Sequence, residues 1–428
     1  MSRFTLRSRL WLALLALAVL AVVLLHRVDR TDADPRGTLL VSEAVITHGT
    51  IRLDQYDDAT LARYGNVIQQ KGGHRYYYFP LGTPLLSVPF VALARIAGLD
   101  MTRDERVTQT AIAAVVALLT LLMLARLAAR MLDPTRAATV AGVFWLGTSL
   151  ASTTSTALWS HNFAVLFALV AIDAAVADIR GSGWQRWPII ALGLFLAYAC
   201  RPTMALLAPF LILFVAANNR VAALRIVLLL CVLVGAFVAF SQREFGQWLP
   251  DYYLPQRLGS DTFWLAVYGN LASPSRGLLV YSPFILLVWL CRGAAVRDFG
   301  LGRAWPLLAL CWPIAHLVVI SRFAHWWAGA SFGARLMTDV LPGLFLLTLR
   351  AWPVSARTLA DRVAIAVLVL SAAFSIYVNA YRGAFIEATA VWNQRPAIDQ
   401  NPGLIFDWRY PQFLHNWRRH ESRIAEYE

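Results

Sequence analysis

Charge is scarce in this chain. Only 15% of its 428 residues are Asp, Glu, Lys or Arg, against roughly 25% in soluble proteins, which excludes an ordinary soluble domain. Lysine is nearly absent: Lys71 is the only one, so the formal charge of +13 is carried by arginine. Those arginines sit mostly in short loops between apolar runs and form no basic face, which argues against a nucleic-acid partner. Cysteine is sparse as well. Cys200, Cys231, Cys291 and Cys311 lie in or beside apolar runs at spacings that make no metal site, and read as small buried apolar residues. Phosphate-loop, nucleotide-binding and serine-hydrolase motifs are missing. No internal repeat is visible, and ionisable residues at the centres of apolar runs are few, Asp173 and His316 among them; both shortages weigh against an ion-coupled transporter.

What is abundant is apolar sequence, 58% of the chain. The runs lie at 10–25, 107–125, 138–151, 161–178, 187–200, 203–217, 224–241, 278–291, 304–320, 336–349 and 363–380. A helix needs roughly 20 apolar residues to cross a bilayer, and the runs lack the alternation of barrel strands. The expected fold is therefore an all-α polytopic membrane protein with about eleven transmembrane helices. Arg3, Arg7 and Arg9 precede the first run and no small-x-small cleavage site follows it, as in an uncleaved anchor with a cytoplasmic N-terminus. Arginines then recur on that same side, after the second, fourth, sixth, eighth and tenth runs: Arg126, Arg130 and Arg136; Arg180 and Arg186; Arg220 and Arg225; Arg292, Arg297 and Arg303; Arg350, Arg357 and Arg362. This divides the chain into a membrane domain, 1–381, and an outer tail, 382–428. The outer face holds the polar and aromatic material, including a first loop at about 27–106.

That loop begins with Asp32 and Asp34. Asp34 before Pro35 suits a helix N-cap, and "RGTLLVSEAVITHG" reads as a short interfacial helix that Gly49 ends. Glu43 interrupts its apolar stripe and is expected on the solvent face; Asp57 and Asp58 belong to a polar turn. Gly72 and Gly73 make a turn before Tyr76, Tyr77 and Tyr78. Pro80, Pro84 and Pro89 interrupt the next apolar segment, which is expected to re-enter or skim the membrane edge beside a cavity.

Four stretches together carry a family resemblance: "TDADPRGTLLVSEAVITHGTIRLD", "YYYFPLGTPLLSVPF", the pair "SPSRGLLVYSPF" and "HWWAGASFGARLMTDVLPG", and the tail segment "WNQRPAIDQNPGLIFDWRYPQFL". In this layout the chain resembles the glycosyltransferase superfamily C, polytopic enzymes that use polyprenyl-phosphate sugars, and within it the bacterial relatives of protein mannosyltransferases. It departs from the compact acidic-acidic-aromatic version of the motif by placing Pro35-Arg36 after Asp34. The resemblance implies inverting transfer of a sugar from a lipid phosphate to an acceptor hydroxyl at the periplasmic face of a bacterial inner membrane, the tail being periplasmic. Asp34 or Asp32 would be the general base, Asp34 being preferred for its place beside Arg36. The acceptor, whether protein, lipid or glycan, is open, as is any divalent metal, since no His/Asp/Glu spacing predicts one.

Arg201, Arg276, Arg322 and Arg335 lie at outer span ends, where the positive-inside rule does not call for them, and are candidate ligands of the donor phosphate. Arg201 could equally snorkel. His74, Tyr77, His161, His325 and Trp327 are candidate substrate contacts, although a lone interfacial histidine is commonly structural and Trp326-Trp327 suits an aromatic belt. Gly329, Ser331 and Gly333 permit close backbone approach. The alternative function is a transporter or flippase of lipid-linked sugars.

Overall fold

A computed structural model describes residues 5–181, 185–291, 301–353 and 356–427. Arg3, Arg292 and Arg297 of the charge pattern, and the side chain of Arg180, lie outside the described residues. The described residues are mostly α-helical, with one two-stranded hairpin among them. Among the described residues five helices are long and apolar enough to cross a membrane: Leu6–Leu25, Glu105–Ala128, Ser160–Ile179, Arg220–Phe245 and Leu359–Phe385. Other apolar runs form shorter helices, among them Trp187–Cys200, Pro202–Ala216 and Leu307–Ile320.

Burial orders the bundle. Ser160–Ile179 is 83% buried and forms its centre, packed on Trp187–Cys200 and Glu105–Ala128; Arg220–Phe245 is 17% buried and lies at the edge. Asp173 in the central helix is buried and compensated, receiving Arg126 at 2.9 Å and Arg130 at 2.6 Å. Of the four cysteines, all free, only Cys200 and Cys291 are buried. Cys231 and Cys311 are exposed on apolar helices, where a span has no core to face and its outer side suits lipid.

The first loop is folded onto this bundle. Its helix runs Thr38–His48 and stops at Gly49, whose left-handed conformation (φ 65°) ends it as expected. The start differs. Asp34-Pro35 lies in a run of turns, and the residue before the helix is Gly37, at φ 79°. The free N–H groups of the first turn are capped from a distance: Glu105 accepts from Gly37 (3.1 Å) and Leu39 (3.0 Å). A carboxylate already held by another helix needs no ordering of the loop itself, so Asp34 is released from capping. Glu105→Ala should cost about 1–2 kcal/mol, the usual loss of a cap, read as a lower melting temperature in detergent; Glu105→Gln, keeping one acceptor oxygen, should lose less.

Two other expectations for the loop are corrected. Residues Thr38 to Ala44 are all buried, so the helix is covered by protein and does not float in an interface. Glu43 is buried with them, paired with Arg95 and accepting the Tyr56 hydroxyl at 2.9 Å; those partners make its burial tolerable. Beyond the hairpin Ile68–Lys71/His74–Tyr77, whose turn is Gly72-Gly73, the proline-rich segment forms one helix, Gly82–Ile96. Pro84 falls in its first turn, where a missing N–H costs nothing, and only Pro89 is interior. At Gly82 a Cβ would lie 2.4 Å from the Ala199 carbonyl carbon, so the absence of a side chain lets this helix start against the Cys200 end of its neighbour.

The tail packs back on the segments around Ala266 and Trp326–Trp327. Trp392, Ile398 and Ile405 share an apolar core with Trp326, Trp327 and Ala266.

Candidate functional site

The N-terminal end of helix Glu105–Ala128 holds the Asp34 segment at several points. Arg106 pairs with Asp29 at 3.0 Å, Glu105 caps Gly37 and Leu39, and the Gln109 amide donates to the Pro35 carbonyl at 3.0 Å while accepting from the Leu158 N–H at 3.1 Å. From the other side the Tyr77 hydroxyl donates to the Asp34 carbonyl at 2.6 Å and meets Thr38 Oγ1 at 2.7 Å. Burial pushes the Tyr77 phenol well above its ordinary range, so it stays a neutral donor. The segment "DADPRG" is thus positioned by rigid neighbours although it has no regular structure of its own.

Asp34 lines a cleft of about 240 Å³ with Thr38, Tyr77, Phe79, Leu158 and Ser160. Its carboxylate, 39% exposed, pairs with the buried Arg335, whose guanidinium lies 3.8 Å above the Trp159 ring. Asp32 is different: its side chain is 89% exposed and its one ion pair among the described residues is a loose 3.9 Å contact with Arg36. The two aspartates therefore separate cleanly, one in the cleft and one in solvent.

Arg335 belongs to a cationic cluster with Arg276 and Arg30. Each nitrogen of Arg276 is satisfied by a neutral acceptor: the Trp327, Ser275 and Gly329 carbonyls, Gln412 and Asn393, at 2.6 to 3.1 Å. It ties the 327–329 loop to the tail. Arg30 is 7% exposed and donates from Nη1 to the Ala330 carbonyl, yet its Nε and Nη2 have no partner among the described residues. Burial, with repulsion from Arg276 and Arg335, pushes Arg30 down to about 9, and burial pushes Arg276 down to about 10. Both remain cations at neutral pH, and among the described residues no carboxylate pairs with either. Buried charge without a counterion is costly, so this cluster is suited to receive an anion.

Behind the cleft lies a second network. Asp339 is fully buried and accepts from Arg201 Nε (2.9 Å), Thr203 Oγ1 (2.7 Å) and His161 Nδ1 (2.7 Å); Arg201 Nη1 donates to Ser160 Oγ, at the cleft wall, at 2.9 Å. His161 Nε2 is buried and unbonded. Breaking such a pair leaves Arg201 uncompensated, so Asp339→Asn should cost about 3–5 kcal/mol, measurable by denaturation of the detergent-solubilised protein.

The remaining candidates lie elsewhere. His74 bridges Asp54 (2.6 Å) and Arg52 (2.9 Å) on the hairpin. Arg322 and His325 are exposed, Arg322 over the Phe263 ring and His325 beside Trp327. Trp327 is buried and donates to Asp399 at 2.8 Å. The structure thus brings Asp34, Tyr77, Arg335, Arg201 and His161 to one region with Arg276 beside it. Sequence reasoning missed Arg30 and Asp339. Arg30 follows the first apolar run, on the side that the charge pattern makes the outer one, the same departure from the positive-inside rule that singled out the other arginines; Asp339 is a lone acid in an apolar run. Among the described residues no three His, Cys, Asp or Glu side chains converge as a metal centre.

No protein-family model matches this chain, and a search of curated proteins returns no match.

Proposed function

We infer that this protein is a membrane glycosyltransferase that moves a sugar from a polyprenyl-phosphate donor to an acceptor hydroxyl. The observation that carries this reading is the pairing of a cleft carboxylate, Asp34, with a buried arginine cluster whose member Arg30 has no counterion. A carboxylate beside buried cationic charge is what the reaction requires: a base for the attacking hydroxyl and positive charge for the leaving group. The acceptor oxygen forms a bond to the anomeric carbon from the face opposite the phosphate, and the bond from that carbon to the phosphate oxygen breaks. The acceptor proton passes to Asp34, and the lipid phosphate departs with the electron pair. Arg335 serves both sides of the step. Without donor it holds Asp34; with donor it turns to the phosphate and frees the carboxylate to accept a proton.

The same reading includes the finer arrangement: about eleven crossings, the shorter helices completed by the turns that flank them, in a bacterial inner membrane with the N-terminus cytoplasmic and the cleft and tail periplasmic. Transport of lipid-linked sugar is the second reading, favoured by the buried Asp339, His161 and Arg201 network, since ionisable groups inside a bundle often mark a conduction path. Purified protein in proteoliposomes with a radiolabelled polyprenyl-phosphate hexose separates the two. Label appearing on acceptors from an envelope extract supports transfer; label crossing between leaflets with none transferred overturns it in favour of transport.

A further inference from the structure

A second cleft adjoins the first. It measures about 390 Å³ and shares Tyr77 and Phe79 with the Asp34 cleft, so the two are separated by one pair of rings. Its walls combine two chemistries. Tyr76, Tyr78, Phe79 and Phe245 supply aromatic surface; Gln69, Lys71 and Asp251 supply polar groups. The rings are fixed: Tyr78 stands edge-on to Tyr252 (5.5 Å, 73°), Phe79 is tilted on the same ring (5.3 Å, 56°), and Arg257 covers it at 4.3 Å. Lys71 Nζ lies 2.9 Å from Asp251, which also accepts from Gln247 at 2.8 Å. The Gln69 amide and Tyr78 hydroxyl make no hydrogen bond among the described residues, and both side chains are half-exposed.

We propose that this cleft binds the acceptor and that the acceptor is a carbohydrate; the proposal rests on the transferase reading of the Asp34 cleft. A sugar ring presents C–H groups on its faces and hydroxyls around its edge. The C–H groups carry partial positive charge that suits the negative face of an aromatic ring, and the hydroxyls suit a carboxylate, an ammonium and a free amide. A hydrocarbon chain would match the rings but leave Lys71, Asp251 and Gln69 against apolar atoms with no return for their desolvation. A sugar seated there would need to reach past only Tyr77 and Phe79 to bring a hydroxyl to Asp34.

Chitotriose and mannotriose serve as probes, each titrated against the full-length protein in nanodiscs with saturation-transfer NMR as the readout. At least one should bind, with saturation passing to ring C–H protons. Tyr78→Leu and Gln69→Leu should weaken binding by about tenfold, the loss expected when one good contact at a binding centre is truncated, without changing the affinity for a short-chain polyprenyl phosphate. Asp34→Asn, which does not line this cleft, should bind the trisaccharide normally. If neither trisaccharide binds, if binding ignores Tyr78→Leu and Gln69→Leu, or if a serine-containing peptide or dodecyl chain takes the cleft instead, the proposal is overturned. Its failure is distinct from failure of the transferase reading: the first shows in trisaccharide binding, the second in sugar release from the lipid donor.

Discussion

Asp34→Asn is expected to lower sugar transfer by about 10²- to 10⁴-fold, the usual contribution of a positioned general base, while the protein stays folded. The amide keeps the shape of the carboxylate and an oxygen that Arg335 can still meet, but it cannot take a proton. Stability should fall modestly, since the buried Arg335 loses its full counter-charge while Asp34, 39% exposed, leaves the pair open to solvent. The Asp34 backbone carbonyl, which receives Tyr77, is untouched.

Asp32→Asn is the internal control. Its side chain is in solvent and its contact with Arg36 is long, so transfer should stay within about twofold of the parent, as for a surface change far from the chemistry. Full transfer by Asp34→Asn in a folded, membrane-inserted protein would end the carboxylate mechanism. Equal loss in both variants would show that loop charge, and not a base in the cleft, governs the rate. A donor-binding measurement completes the test, since Asp34→Asn should bind polyprenyl phosphate at least as tightly once Arg335 is no longer held by a full negative charge.

The parts of this site that are legible in the sequence are those set by local chemistry. Gly49 ends a helix because its left-handed backbone is open to glycine, and Gly72-Gly73 turn a hairpin for the same reason. The misreadings share a cause. Asp34-Pro35 has the composition of a helix start, but the cap comes from Glu105, 68 residues beyond the Gly37 that it caps. Glu43 looks like a solvent-facing charge, but Arg95 and Tyr56 reach it from two other segments. Pro80, Pro84 and Pro89 look like interruptions, yet one precedes a helix and one falls in its permissive first turn. In each case a tertiary partner or a half-turn shift in the helix start decides what the residue does, and neither is written in the neighbouring sequence. Arg276 is the opposite lesson. Its place at an expected outer span end made it a candidate phosphate ligand, and the tail, far along the chain, supplies Asn393 and Gln412 to occupy it.

Arg30→Met should raise the melting temperature of the donor-free protein and, in the same variant, weaken binding of a short-chain polyprenyl phosphate by roughly ten- to hundredfold, since a hydrogen bond to a charged group contributes about 1.5–3 kcal/mol. The two effects have one origin. Arg30 is buried beside Arg276 and Arg335 with Nε and Nη2 unbonded, so the folded state carries the cost of an uncompensated cation; an apolar side chain of similar length removes it. The pH dependence has a definite sign. Burial holds Arg30 down at about 9 in the folded protein, whereas the unfolded chain keeps that proton to a much higher pH. The unfolded state therefore binds more protons above about pH 9, and the stability of the donor-free protein should rise with pH there. Bound phosphate supplies the missing negative charge and restores the proton's hold, so its stabilisation of the parent should be greatest below about pH 9 and shrink above it. In Arg30→Met both pH effects should shrink to what Arg276, held down at about 10 by burial, still contributes at higher pH. A variant that melts lower than the parent would show that the Ala330 contact is the purpose of Arg30. A variant that still gains the parent's full stabilisation from polyprenyl phosphate would place the anion away from this cluster. Stability bought at the expense of ligand binding is the mark of a site kept strained for function, and neither a purely structural arginine nor a solvated one predicts both changes together.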